Sequence, residues 1–248
     1  MWSDIRKLPL AEQEAALRNP AMRAKLVEAA REFMTKRHNI VGAEARPPDF
    51  DYFFVLDKPL PPYRSVAQVA RERGQDALEV MLDLALEKHL KQFFIQPIVN
   101  EDQDIVLAMM RHPRSVVTFS DSGAHVSQIM DSSIQTHLLG HWVRERQALT
   151  LEQAIRKLTF DLASFWGLRG RGLLREGNYA DAVVFDPATV APQMPTLEYD
   201  LPGGARRLKQ KAVGIKTTIV NGEVLLRDNE PSGALPGKLL RGPLAASA

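Results

Sequence analysis

The sequence predicts an α/β chain in two parts, a mainly helical stretch to about Leu168 and a smaller β module after it. Three observations predict this. Through most of the first part, apolar residues recur with the 3.6-residue period of helices. From about Gly170 the period falls to two, the spacing of strands. Between the helical segments lies Ser115-Val116-Val117-Thr118-Phe119-Ser120-Asp121-Ser122-Gly123-Ala124-His125. Val116, Val117, Thr118 and Phe119 are β-branched or aromatic, which suits a buried strand over 115–120. The run stops at Ser-Asp-Ser-Gly, where small polar residues and a glycine allow an exposed turn.

Composition narrows the function classes. At 248 residues and 45% hydrophobic, the chain can bury a large core, and its length allows one or two domains. The net charge is +2 with 25% charged residues, so no global field draws it to nucleic acid or to a membrane surface. Without cysteine there are no disulfides and no thiolate metal sites, so any metal must take His, Asp or Glu ligands. No apolar run approaches the ~20 residues of a membrane span. Met1-Trp2-Ser3-Asp4-Ile5-Arg6 shows no basic-then-apolar leader, and the expected location is cytoplasmic.

The elements follow in order. Residues 1–40 read as helices, with Asn19-Pro20 opening one that carries Met22, Leu26, Ala29, Ala30 and Phe33. Prolines at 47–48 and 59–62 bracket Phe50 to Leu56, a short strand inside an excursion. Ser65 with Gln68, and Asp76 with Glu79, have the spacing of capping boxes. They predict a helical hairpin with a stop at Gly74 and an end near Leu90. Phe93 to Val99 is strand-like, although Pro97 keeps it from a central position. Asn100 and Gln103 open a helix that ends at His112-Pro113. Residues 131–147 suit a helix, and Thr150 with Gln153 caps another that runs past Leu158 and Leu162 to Gly167. Ala182 to Phe185 is a strand closed by Asp186-Pro187, and Thr217 to Leu226 is a hairpin turning at Asn221-Gly222.

Few residues carry chemistry. Asp121 reads in two ways: a cap for the next helix, since Asp is a leading N-cap residue, or a carboxylate released at the end of a strand, where α/β enzymes place chemistry. Its neighbours Ser120, Ser122, Gly123 and His125 complete this candidate. His137 and His141 stand four apart on a helix, a spacing that can chelate zinc. Leu138 occupies the place of the general-base glutamate of such motifs, and Gly140 lowers helix propensity, so the pair reads as packing. Gly167, Gly170, Gly172 and Gly177 lead into a strand and make turns rather than a phosphate cradle. Arg206, Arg207, Lys209 and Lys211 lack interleaved aromatics and read as a solvated loop, not a nucleic-acid surface. His112 suits the C-terminal end of its helix.

Together these stretches resemble the C-terminal part of an amidohydrolase-superfamily enzyme, nearest to the N-acyl-D-amino-acid deacylases (D-aminoacylases). Val116 to Gly123 resembles the family's last barrel strand, and Leu149 to Thr159 the helix after it. Gly167 to Pro187 resembles the re-entry into a β-sandwich, and Val220 to Val224 with Ser232 to Gly237 completes the likeness. The resemblance implies a zinc-dependent hydrolase of C–N bonds acting on an N-acyl amino acid. Residues 1–168 would be an incomplete (β/α)₈ barrel with a helical insertion, and 169–248 a small β-sandwich module. It also implies that Asp121 contacts the metal and shuttles the proton of the attacking water, with Ser122, Gly123 and His125 beside the substrate. The family's His-x-His pair and further histidine ligands have no counterpart among the six histidines. A whole barrel needs ~250 residues. The expectation is therefore a portion of such an enzyme, active only with its missing N-terminal half, its partner being that half or a further copy of this chain in a homo-oligomer. The alternative is a barrel remnant without catalysis, serving as an interaction module.

Overall fold

A computed structural model describes residues 1–35, 48–97, 99–118, 120–122, 125–128 and 131–241. The chain forms an α/β structure in two compact units. One comprises residues 1–58 and 62–103, the other residues 59–61 and 104 onward. The change from helix to strand near Leu168 is therefore a change inside the second unit.

The first unit is built on helices α1 (Trp2–Ile5), α2 (Leu10–Arg18), α3 (Pro20–Thr35), α4 (Val66–Arg73) and α5 (Ala77–Glu87). Strands β1 (Phe54–Leu56) and β2 (Phe93–Ile95) pair antiparallel. Ser65 caps α4 by accepting the Gln68 N–H at 3.0 Å, and Asp76 caps α5 by accepting the Leu78 N–H at 2.9 Å. Neither box closes, because the Gln68 and Glu79 side chains turn to Glu72 and Arg23. Gly74 ends α4 in the left-handed conformation that a Cβ disfavours. Val55, Val66, Val69, Val80 and Leu84 form one apolar cluster, with Phe53 and Phe94 against it; Leu17, Leu26 and Leu86 form another. Arg23 joins α3 to α5 through Glu79 and, at 2.7 Å, Asp83.

The second unit opens with α6 (Gln103–Arg111), which ends just before His112-Pro113. A 3₁₀ turn over Asp131–Ser133 leads into α7 (Ile134–His137), which continues as a π-helix over Leu138–Glu145. The expected helix over 131–147 is thus present but widened. Gly140 explains part of this: a Cβ there would lie 3.0 Å from Leu60 Cδ1 and 3.1 Å from the Val190 carbonyl, so tertiary contact sets the backbone path. Next come α8 (Leu151–Leu158), with a complete Thr150–Gln153 capping box, and α9 (Phe160–Phe165).

The β module consists of β3 (Ala182–Phe185), β4 (Ala191–Pro192), β5 (Thr196–Leu201), β6 (Ala205–Lys209), β7 (Ala212–Val213), β8 (Ile215–Val220), β9 (Glu223–Arg227) and β10 (Glu230–Pro231). A four-stranded sheet runs in the order β10-β9-β8-β3, beside two-stranded ladders β4-β7 and β5-β6. Asn221 and Gly222 both take positive φ at the β8–β9 turn, as an Asn-Gly hairpin requires. The β5–β6 hairpin corrects one expectation. Arg206, Arg207 and Lys209 lie on a strand rather than in a loop, and Arg207 grips Asp200 with two bonds of 2.7 and 2.6 Å.

The module does not bury a core by itself, as a small sheet rarely can. Val190, Phe185 and Ile215 pack instead with Leu138, Leu139, Trp142, Leu149, Ala154 and Leu158 from the helices. All strand pairs among the described residues are antiparallel. The strand expected over 115–120 is not formed: residues 115–118 and Ser120 have no ladder partner, and Phe119 lies outside the described residues. Propensity favours an extended backbone there, but a strand also needs a neighbour for its N–H and C=O groups.

Candidate active site

The segment that carries Asp121 is anchored at both ends. At its start the His112 carbonyl accepts from the Ser115 N–H at 3.1 Å and from the Ser115 hydroxyl at 3.0 Å. The Arg114 N–H donates to His112 Nδ1 at 3.2 Å, so this imidazole serves the turn. Half-buried Ser115 to Thr118 follow. At the far end, Leu208 of β6 donates its N–H to the Val126 carbonyl at 2.7 Å, which ties the loop to the β5–β6 hairpin.

Between these anchors, the Ser120 hydroxyl donates to Ser122 Oγ at 2.9 Å and accepts the Ser122 N–H at 3.3 Å. This tight serine turn leaves Asp121 exposed, without a hydrogen bond or ion pair among the described residues. The N–H groups of Gly123 and Ala124, which a capping Asp121 would engage, lie outside the described residues. His125 is also exposed, and its carbonyl accepts the Gln128 N–H at 2.8 Å. The structure brings Ser120 and Ser122 together but shows no bond joining Asp121 to Ser122 or His125. Gly123 lies outside the described residues.

A hydrolytic zinc takes three protein ligands and a water. Among the described residues no three His, Asp or Glu side chains converge on one point. Asp121 and its neighbours therefore do not fit such an ion by themselves, and what they offer is an unpaired carboxylate beside two hydroxyls.

Elsewhere the structure joins residues that sequence patterning leaves apart. The His137 and His141 rings lie with centroids 5.0 Å apart, and His141 meets the Trp142 ring edge-on at 5.2 Å. His141 Nδ1 stands 3.5 Å from a Glu145 carboxylate oxygen. Burial, reinforced by the neighbouring His141, lowers the His137 pKa to about 4. Burial likewise lowers that of His141, against the pull of Glu145. In the β module, Arg171 pairs with Asp181 and donates to Asn221 Oδ1 at 2.7 Å while its guanidinium covers the Tyr179 ring. In the first unit, an open depression of about 700 Å³ is bordered by Phe50, Ala67 and Ala77, with Arg71 already paired to Asp51 at 3.3 Å. No helix among the described residues is long and apolar enough to cross a membrane.

The sequence profile of the amidohydrolase family matches residues 14–226. The chain belongs to that family. Among curated amidohydrolase relatives, an N-acyl-D-aspartate deacylase of Alcaligenes xylosoxydans xylosoxydans is 35% identical over 176 residues, covering 67% of this chain and 33% of the relative. A D-aminoacylase of the same organism is 38% identical over 103 residues, covering 42% of this chain and 19% of the relative. Of solved structures, an N-acyl-D-glutamate deacylase from Bordetella bronchiseptica, complexed with zinc and a phosphonate inhibitor, is 25% identical. It covers 91% of this chain and 46% of that protein at a TM-score of 0.45, too low to carry a structural argument. The chain spans about a fifth to a third of the length of the curated relatives it matches.

Proposed function

We propose that this chain is part of a metal-dependent amidohydrolase that hydrolyses N-acyl-D-amino acids, and that Asp121 is its catalytic carboxylate. Residues 1–168 would then supply part of a (β/α)₈ barrel and residues 169–248 part of a β-sandwich. The observation that carries this reading is the family match over 14–226 together with an Asp121 that is exposed, and unpaired among the described residues, within the stretch that resembles the last barrel strand. In this reading Asp121 takes a proton from the attacking water and returns it to the leaving amine, the usual work of a positioned carboxylate. Ser122, Gly123 and His125 are the proposed substrate-binding residues of the same stretch. Zinc is the proposed metal, with the remaining ligands supplied by a complementary polypeptide. The backbone of Val116 to Thr118, which meets no ladder among the described residues, supports such a complement, since a neighbouring strand would satisfy it. No observation favours a non-catalytic interaction module.

Co-expression with the N-terminal portion of an N-acyl-D-glutamate deacylase tests the reading. The two pieces should co-purify and release free amino acid from an N-acyl-D-amino acid. Asp121→Asn should lower that turnover by about 100-fold or more, without changing co-purification. Turnover indifferent to Asp121→Asn, or a co-purified pair with no turnover, would count against it.

A further inference from the structure

We propose that His137 and His141 form a two-imidazole binding site for a late first-row divalent ion such as Cu²⁺, Ni²⁺ or Zn²⁺, with Glu145 orienting His141. The geometry fits. An imidazole nitrogen sits about 2.0–2.1 Å from such an ion, which puts each ring centroid roughly 3.2 Å from it. Two rings bound to one ion are then about 4.5 Å apart at a right angle and about 5.2 Å apart at the tetrahedral angle. The observed separation of 5.0 Å falls between these values.

The chemistry fits as well. An imidazole binds such an ion through the lone pair of an unprotonated ring nitrogen. Glu145, 3.5 Å from His141 Nδ1, marks that nitrogen as the protonated one and leaves Nε2 as the donor. A carboxylate on the far nitrogen of a metal-bound histidine is a recurrent arrangement that fixes the ring and raises its basicity. His137 is half-buried and has no hydrogen-bond partner among the described residues, so its ring nitrogens are not taken up by another described group.

The neighbouring charges leave room for a cation. Arg146 lies over Trp142, 4.9 Å from the ring centre, and bonds Asp104 at 3.1 Å. Arg144 donates to the Val190 carbonyl at 2.5 Å. Both guanidiniums have other partners, and Glu145 supplies negative charge. The pair also straddles the step from α7 into the π-helix, held by the close approach of Gly140 to Val190. Donors on a segment fixed in this way lose little freedom on binding. No third His, Asp or Glu completes the set among the described residues, so the other positions on the ion are left to water.

The test uses the 248-residue chain and Cu²⁺, with Trp2→Phe and Trp166→Phe so that Trp142 alone fluoresces. One equivalent of Cu²⁺ should quench Trp142, and the electron paramagnetic resonance spectrum should show coupling to two nitrogens. His137→Gln and His141→Gln should each weaken binding by at least about 10-fold, and Glu145→Gln by about 10-fold. His89→Gln, an exposed histidine, should leave it unchanged. Circular dichroism checks folding. If a histidine variant does not fold, the nitrogen count on the parent chain and the exposed-face variant Glu145→Gln decide. A spectrum with one nitrogen or none, or affinity indifferent to both histidine variants, would overturn the proposal.

Discussion

The backbone N–H of Asn221 donates to the Asp181 carboxylate at 2.9 Å, across forty residues of chain. Arg171 closes the triangle by pairing with Asp181 and donating to the Asn221 amide oxygen, and Asn221 in turn donates to the Pro236 carbonyl at 2.6 Å. The Asn-Gly turn of the β8–β9 hairpin is thereby pinned to the segment that enters β3. Removing Asp181 leaves the Asn221 N–H without its acceptor and the half-buried Arg171 without its counter-charge. Asp181→Ala should therefore cost about 1–3 kcal/mol in urea unfolding, with loss of the β module's cooperativity.

The same carboxylate sets an acid limit. Burial acts to raise the Asp181 pKa, but the Asn221 N–H and Arg171 together hold it below the ordinary value of 3.8. Because the folded state releases this proton more readily than the unfolded one, its stabilisation is complete above about pH 4 and is lost as pH falls through the folded value. Asp181→Asn should flatten the stability profile below pH 4 and lower it at pH 7. An unchanged acid limb in the variant would exclude this role.

Two glycines of similar backbone angle should respond differently to a methyl group. Gly172 has φ +82°, and a Cβ there would lie 2.6 Å from Ala163 Cβ and 3.0 Å from the Thr159 carbonyl. Gly222 has φ +86° with nothing nearby. Gly222→Ala should cost about 1–2 kcal/mol from backbone strain alone. Gly172→Ala should cost clearly more, because α9 must move as well, and thermal melts of the two variants compare them directly.

Helices 104–165 and the β module should unfold together. Leu138, 3% exposed, sits in the cluster that also holds Val190, Phe185 and Ile215. Leu138→Ala should cost about 2–5 kcal/mol. It should shift helical circular dichroism and sheet-amide exchange by the same amount. Sheet protection that outlives the helices would show two independent cores.

Local chemistry made much of this fold legible in the sequence. Thr150 with Gln153, Asp76 before α5 and Asn221-Gly222 each specify a structure through bonds within a few residues, and each forms. Elements whose partners are remote were harder to read. Val116 to Phe119 have the residues of a strand, but no ladder meets Val116 to Thr118 among the described residues. The π-helix at 138–145 depends on Val190, fifty residues from Gly140. The β5–β6 hairpin did leave a signal, since Leu197, Tyr199 and Leu201 alternate with polar residues before Pro202-Gly203-Gly204, but the basic run after it suggested a loop. At the candidate site, the abrupt Ser-Asp-Ser turn was enough to foresee an exposed carboxylate. The approach of the His137 and His141 rings is not legible from their spacing, because the pattern lacks the metalloprotease glutamate and Gly140 lowers helix propensity.

The proposed function has this chain supply Asp121 to a hydrolytic site completed by ligands of another polypeptide. Assay of the purified 248-residue chain on N-acyl-D-amino acids, with and without added zinc, tests it most directly. The expected result is a rate no higher than that of the Asp121→Ala chain under either condition. Zinc-dependent turnover that disappears in Asp121→Ala would contradict the claim, because a complete metal site would then have formed within this chain.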